Sequence, residues 1–188
     1  MSKKYALIID TKRCVGCRTC TVACKMENNV PLGLARMRVF NPQGNLHFDK
    51  PIGVYPNLKM YWTPVPCQHC DNAPCIKACP SGAMHKREDG IVDLDKSRCI
   101  GCQYCVWVCP YNVPQFDPEA GVSDKCNMCA QRLDQGEEPM CVLCCPSRAI
   151  KFGDLNDPDS EVAKMVNQRS SKVLLPEQGT SPTTQYLF

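Results

Sequence analysis

Four runs hold sixteen of the seventeen cysteines in this chain: Cys14, Cys17, Cys20 and Cys24; Cys67, Cys70, Cys75 and Cys79; Cys99, Cys102, Cys105 and Cys109; and Cys126, Cys129, Cys141 and Cys145. Pro80, Pro110 and Pro146 follow the last cysteine of the second, third and fourth runs. Two residues between ligands let a tight loop aim three thiolates at three corners of one iron–sulfur cube. The fourth cysteine, with its proline, serves the neighbouring cube. A structural zinc site needs only two C-x2-C pairs and leaves the third cysteine without a purpose. Disulfides require an oxidising compartment and normally a secretory leader, and the start Met1-Ser2-Lys3-Lys4 has no apolar stretch behind it of that kind. The chemistry these residues favour is one-electron transfer through four [4Fe–4S] clusters.

Composition agrees. The 188 residues fit one domain or two small ones, and they are rich in turn formers (16 Pro, 11 Gly) with only 7% aromatic residues. The clusters must therefore do part of the core's work, crosslinking distant loops, so the iron-free chain is expected not to fold. The formal charge of +3 counts every thiol as neutral. Sixteen thiolates bring about −16 and four oxidised cores about +8, leaving the loaded chain at about −5 and giving no reason to expect nucleic acid as a partner. Lys12, Arg13, Arg18, Lys25, Lys96 and Arg98 crowd the loops and read first as solvated surface charge, otherwise as groups that tune clusters or dock a partner. No apolar stretch approaches the ~18–20 residues that span a bilayer. The sequence offers no G-x-G-x-x-G turn, no phosphate loop and no defensible nucleophile–base set, so it reads as a non-catalytic chain.

The elements that must hold these loops are short. Tyr5–Asp10 reads as an opening strand, Thr19–Asn28 as a helix carrying Cys20 and Cys24, Ile91–Leu94 as a strand after the Asp89-Gly90 turn, and Ala149–Phe152 as a closing strand. The fold class is α+β: two nested, loop-rich ferredoxin-like modules with an extended C-terminal arm. The outer module comprises residues 1–28 and 119–153, the inner one 61–118, with an inserted loop region at 29–60 broken by proline and glycine. In the arm, residues 154–188, a helix is expected over 159–167. The Ser/Thr/Pro/Gln-rich remainder either wraps its own protein or embraces another subunit, and the second is expected because so polar a segment has little of its own to bury.

The loop order, the run Cys126-Asn127-Met128-Cys129-Ala130-Gln131-Arg132-Leu133 and the stretch Phe152-Gly153-Asp154-Leu155-Asn156-Asp157-Pro158 together resemble one family. It is the four-cluster electron-transfer (beta) subunit of the molybdopterin oxidoreductases, as in dimethyl sulfoxide, polysulfide and thiosulfate reductases. The likeness runs through Leu175-Pro176-Glu177-Gln178-Gly179-Thr180 and is nearest to the compact polysulfide reductase type.

The resemblance implies a wiring. Cluster A would be held by Cys14, Cys17, Cys20 and Cys145, and cluster B by Cys126, Cys129, Cys141 and Cys24. Cluster C would take Cys67, Cys70, Cys75 and Cys109, and cluster D would take Cys99, Cys102, Cys105 and Cys79. It also implies a molybdopterin (Mo or W) catalytic partner facing the outer module and a membrane anchor subunit beyond the inner one. The compartment would be the outer face of the cytoplasmic membrane, with a cytoplasmic residence the alternative. A stand-alone soluble polyferredoxin, or the small subunit of a cytoplasmic two-subunit molybdoenzyme, remains open as a second reading. Cys24 is followed by Lys25 rather than proline, and Cys144 competes with Cys145 as a ligand. Pro146 favours Cys145, which leaves Cys144 as a buried filler. His69 either hydrogen-bonds a cluster sulfur or simply packs. Tyr104 and Trp107 are expected to shield a cluster from water, and His47 and His85 to lie at the surface.

Overall fold

The computed structural model describes residues 3–46 and 49–188, so His47 falls outside the described residues. The chain opens with β1 (Tyr5–Asp10) and α1 (Thr19–Glu27). β2 (Arg38–Phe40), β3 (Thr63–Val65), α2 (Pro74–Lys77), β4 (Met84–Lys86), β5 (Val92–Leu94) and α3 (Tyr104–Val108) follow. Next come β6 (Gln115–Asp117), β7 (Val122–Asp124), α4 (Ala130–Leu133), α5 (Met140–Leu143) and β8 (Ile150–Asp154). The arm contributes α6 (Glu161–Gln168), β9 (Ser171–Lys172) and β10 (Gln185–Leu187). Among the described residues no helix is long and apolar enough to cross a membrane.

One four-stranded sheet, in the order β8-β1-β10-β9, closes the molecule. Its centre is β1, an unbroken apolar run whose both faces are covered, as such a run requires. β1 pairs antiparallel with β8, Tyr5 opposite Asp154 through Ile9 opposite Ile150, and parallel with β10, Ile8 opposite Gln185. Alternation along the strand then divides its side chains. Leu7 and Ile9 pack with Cys20, Cys24, Met37, Met128 and Cys141 on the inner face, and Ala6 and Ile8 pack with Val162 of α6 on the outer. α6 starts where Ser160 Oγ accepts the Ala163 amide at 3.2 Å. It lies so close to β8 that a Cβ on Gly153 would sit 2.6 Å from Val162 Cγ2.

The remaining strands make three hairpins, β2–β3, β4–β5 and β6–β7. The insertion is therefore not all loop, since β2 lies within it and pairs with β3. The short helices that carry cysteines meet in twos, α1 against α5 and α2 against α3.

The polar arm folds onto its own chain, contrary to the sequence expectation. β10 enters the sheet between β1 and β9, and Tyr186 is fully buried, its hydroxyl donating to Pro64 O at 3.1 Å and accepting from Gln68 Nε2 at 3.1 Å. The hydroxyls explain the composition. Thr183 Oγ1 donates to His69 O and Thr184 Oγ1 to Cys67 O, both at 3.2 Å, and the Asp71 and Asn72 amides donate to Ser181 O and Thr180 O. A bare cysteine loop has carbonyls and amides that no ladder satisfies, and the arm supplies both donors and acceptors. Removing that anchor should be costly: Tyr186→Ala is expected to lower stability by about 3–5 kcal/mol. Tyr186→Phe, which leaves Pro64 O and the Gln68 amide short of a partner, should cost about 1–3 kcal/mol. Guanidinium unfolding of the iron-loaded chain measures both, and equal stabilities would refute the anchoring role.

Candidate metal centre

All four cysteine loops curl by the same device. The residue before the second cysteine has a left-handed backbone in each: Gly16 (φ 67°), His69 (φ 43°), Gly101 (φ 70°) and Met128 (φ 57°). That conformation turns the chain back on itself so that successive thiols face one point. Glycine adopts it freely, and at two loops it is also sterically required. A Cβ on Gly16 would lie 2.4 Å from the Trp62 ring, and one on Gly101 2.5 Å from Gly121 O. His69 and Met128 hold the same turn as buried non-glycine residues, at a local cost of about 1–3 kcal/mol each. The strain is a sign that packing around these two loops fixes them.

Three small cavities each present four thiols. Cys14, Cys17, Cys20 and Cys145 line one; Cys67, Cys70, Cys75 and Cys109 a second; Cys79, Cys99, Cys102 and Cys105 a third. In every case three thiols come from one loop and the fourth from another. Cys24, Cys126, Cys129 and Cys141 are the remaining set: Asn28 Nδ2 lies 3.8 Å from Cys24 Sγ and 3.6 Å from Cys129 Sγ, α1 packs Cys24 into one core with Cys141 of α5, and the Cys141 thiol feels Cys126, Cys129 and Cys24, with Cys20 beyond. Every one of the sixteen predicted cysteines thus belongs to a group of four. Among the described residues no three His, Cys, Asp or Glu side chains converge closely enough to chelate a single ion. The thiols ring spaces instead, a donor set that fits a polynuclear core with one ligand per corner.

The electrostatics fit the same group. Burial pushes the Cys20 and Cys75 thiols up to about 12 and the Cys70 and Cys126 thiols up to about 11; nearby cysteines add to the rise. Such thiols release their protons when iron arrives to take the charge. Cys79 and Cys145 differ. Burial raises them too, but donors more than offset it and both end below the ordinary thiol value. Met84 N–H points at Cys79 Sγ at 3.4 Å and Ala149 N–H at Cys145 Sγ at 3.3 Å. In each a serine two residues on lies 3.7 Å from the sulfur, Ser81 and Ser147. The two Cys-Pro-Ser turns are copies of one another, which makes Cys145 the counterpart of Cys79. Cys144 is half-buried rather than a buried filler, packed against the core beneath β1 and lining none of the three cavities.

Exposure sorts the four sets. Cys17 and Cys102 are exposed, whereas Cys24, Cys126, Cys129 and Cys141 are all buried, as are Cys67, Cys70 and Cys75. Two sets reach the surface and two are interior. Around the exposed sets apolar side chains share the surface with the exposed cations Lys12, Arg13, Lys96 and Arg98, and Lys12 itself lines the groove beside Cys14. Thr11, Val15, Met60, Tyr61, Trp62 and Phe188 line a groove beside Cys14, and Ile100, Tyr104 and Trp107 stand out at loop three. Tyr104 and Trp107 do not shield a cluster as expected: they are 51% and 78% exposed. α3 turns Cys105 inward, and Trp107, two residues on, falls on nearly the opposite side of the helix. His85 is exposed, as expected.

Several basic residues are tied down rather than merely solvated. Lys25 Nζ donates to Pro31 O and Leu34 O at 2.7 and 2.6 Å, and Arg18 pairs with Asp49. The residue that the sequence does not single out is Asp124. Buried beside Cys126, it takes two bonds of 2.7 Å from Arg36 and one of 2.8 Å from Lys96. Burial alone would raise its carboxyl, but the hydrogen bonds and charges of Arg36 and Lys96 win and hold it below the ordinary value.

Comparison with known proteins agrees with this geometry. Two models described as 4Fe-4S dicluster domain match, one over residues 58–155 and one over 13–83. An electron transfer subunit of thiosulfate reductase from Salmonella typhi is 46% identical, with 90% of this chain and 84% of the relative aligned. A tetrathionate reductase subunit from Salmonella typhimurium is 43% identical, covering 98% and 72%. The chain belongs to the iron–sulfur subunit family of the molybdopterin oxidoreductases. A sulfite dehydrogenase subunit from Allochromatium vinosum is 40% identical over 98% of the chain and 82% of the relative. Reductases and a dehydrogenase therefore share this type of subunit. As a member of the family the chain carries 4Fe–4S clusters and transfers electrons within an oxidoreductase complex.

Two substitutions test the site. Cys144→Ser should keep the iron content of the wild type, while Cys145→Ser should lose one cluster's worth, read by iron analysis and EPR; the reverse result would exchange their roles. Asp124→Asn should cost about 3 kcal/mol by stranding Arg36. Because the folded carboxyl titrates below its unfolded value, that contribution is fully present above about pH 4 and disappears as pH falls through the folded pKa. Denaturant melts of both proteins should differ equally from pH 5 to 8, and a gap that grew on acidification would refute the assignment.

Proposed function

We propose that this chain is the non-catalytic relay of a respiratory oxidoreductase, passing single electrons through four [4Fe–4S] clusters between a quinol-linked membrane subunit and a molybdopterin catalytic subunit. The ligands would be the four sets named above: Cys14, Cys17, Cys20 and Cys145 for cluster A; Cys126, Cys129, Cys141 and Cys24 for cluster B; Cys67, Cys70, Cys75 and Cys109 for cluster C; Cys99, Cys102, Cys105 and Cys79 for cluster D. Bound there, each core would accept and release one electron without moving an atom. The observation that carries the reading is the crossed sharing of thiols, three from one loop and the fourth from another, which links neighbouring sites through the chain itself.

The protein's own part is positional. It excludes water from the two interior sets and brings the two outer ones to the surface. The apolar groove beside Cys14 would dock the catalytic subunit, and the Ile100, Tyr104 and Trp107 patch at loop three would face the membrane partner. Exposed aromatic and aliphatic side chains of this kind favour a fixed complex over a freely diffusing polyferredoxin. We place the complex on the outer face of the cytoplasmic membrane, with a cytoplasmic two-subunit enzyme as the alternative.

Anaerobic pull-down of the tagged chain, with subunit masses and molybdenum or tungsten measured together, tests this. A near-equimolar metal–pterin partner is the expected result. A brown chain isolated alone, with about sixteen irons and no second metal, would make it a soluble carrier.

A further inference from the structure

The junction between the interior cysteine sets contains an exchange of side chains. Lys125 belongs to the fourth loop, immediately before Cys126, yet it lines the cavity of Cys67, Cys70, Cys75 and Cys109. His69 belongs to the second loop, between Cys67 and Cys70, yet its Nε2 lies 3.9 Å from Cys126 Sγ. Each loop sends its polar residue to the other's sulfurs. Val92 holds both: its N–H donates to His69 Nδ1 at 3.1 Å, and its carbonyl accepts from Lys125 Nζ. That bond leaves His69 Nδ1 without a proton and puts the ring hydrogen on Nε2, toward the Cys126 sulfur.

Lys125 is the more consequential of the two. It is 2% exposed, and among the described residues its ammonium bonds to the Val92 and Cys126 carbonyls and to no other group. Among the described residues no carboxylate lies within 4 Å of it. A buried, unpaired ammonium is costly and rare. Its charge is felt by the thiols of Cys67, Cys75 and Cys126 and by the His69 ring, which it helps to keep neutral. The cavity that Lys125 lines is that of Cys67, Cys70, Cys75 and Cys109, so its main counter-charge lies there, while Cys126, packed in the same core, feels it more weakly.

We propose that Lys125 is an electrostatic gate residue at the module junction, its fixed positive charge making the Cys67/Cys70/Cys75/Cys109 site the preferred interior resting place for the electron. The proposal rests on the four-cluster reading above. The physics is Coulombic. Adding one electron lowers the charge of the site by one unit, and its donor gains one unit, with no bond made or broken and no proton taken up. An ammonium that water cannot screen favours the more negative state. The same charge on a solvent-exposed lysine would do little.

The test is a redox titration of the anaerobically purified full chain, followed by EPR, with iron counted on every sample. Lys125→Met removes the charge but keeps the stem, and Lys125→Gln also keeps an amide donor for the Val92 carbonyl. Either should lower the one-electron reduction equilibrium constant of one centre at least tenfold, which is 59 mV or more toward negative potential. Lys125→Arg should restore it, and the centres nearest the surface should not move. Unchanged potentials in a fully loaded variant would overturn the proposal, as would loss of the same centre from both neutral variants, which would make the lysine purely structural. Should the wild type itself hold fewer than four centres, the four-cluster reading fails and this proposal falls with it. Four wild-type centres with unmoved variant potentials would sink the proposal alone.

Discussion

Mutual repulsion among buried thiolates is the constraint on which this structure depends. Four such groups facing one small space cannot all ionise unless cations sit between them, and burial already holds the Cys20 and Cys75 thiols far above their ordinary value. The iron cores of this family supply those cations, so ligand burial and metal loading are one equilibrium. Nearly every other feature serves to keep the sulfurs pointed inward. Left-handed residues curl the loops, the Cys-Pro-Ser turns aim amide hydrogens at Cys79 and Cys145, and paired short helices hold the cysteines drawn from remote segments.

The rest of the molecule supports backbone that the loops leave unsatisfied. An ordinary fold would meet these needs with ladders, but ligand loops have irregular backbone and no strand partner. The arm meets them with threonine hydroxyls over loop two, and Lys25 meets them by donating to Pro31 and Leu34 carbonyls. The insertion contributes in the same way: Arg36 crosses to Asp124 next to Cys126, so a segment without cysteines braces a cluster loop.

Much of this is legible in the sequence, because ligand spacing is a covalent measure of distance. The cysteine runs locate the loops, and the apolar run of β1 and the short α1 fall within a residue of where the pattern puts them. That Cys145 rather than Cys144 lines the cavity of Cys14, Cys17 and Cys20 is signalled by Pro146, and more strongly by the repeat of Cys-Pro-Ser at 79–81 and 145–147. The arm misleads because polar composition suggests nothing to bury, whereas hydroxyls are buried wherever carbonyls lack donors. Trp107 misleads because nearness along the chain is not nearness in space, and two residues along a helix nearly reverse direction. Lys125, His69 and Asp124 have no neighbours that a sequence could assign, since their partners lie in other loops and no local pattern encodes the meeting.

The parallel pairing of β1 with β10 imposes an order on biosynthesis. The first strand of the chain finds one partner only at residues 150–154 and the other only at 185–187. Until those segments have emerged, the Leu7 and Ile9 face that covers Cys20, Cys24 and Cys141 has no completed sheet behind it. Pairings so distant in sequence close late and slowly. The cysteines of the inner segment, between residues 67 and 109, can gather earlier, although loop two is completed only when the arm brings Thr183 and Thr184 to its carbonyls. Maturation would then proceed from the middle of the polypeptide outward. A truncated product would be left with its earliest-made cysteines as the least protected from oxidation and misplaced metals.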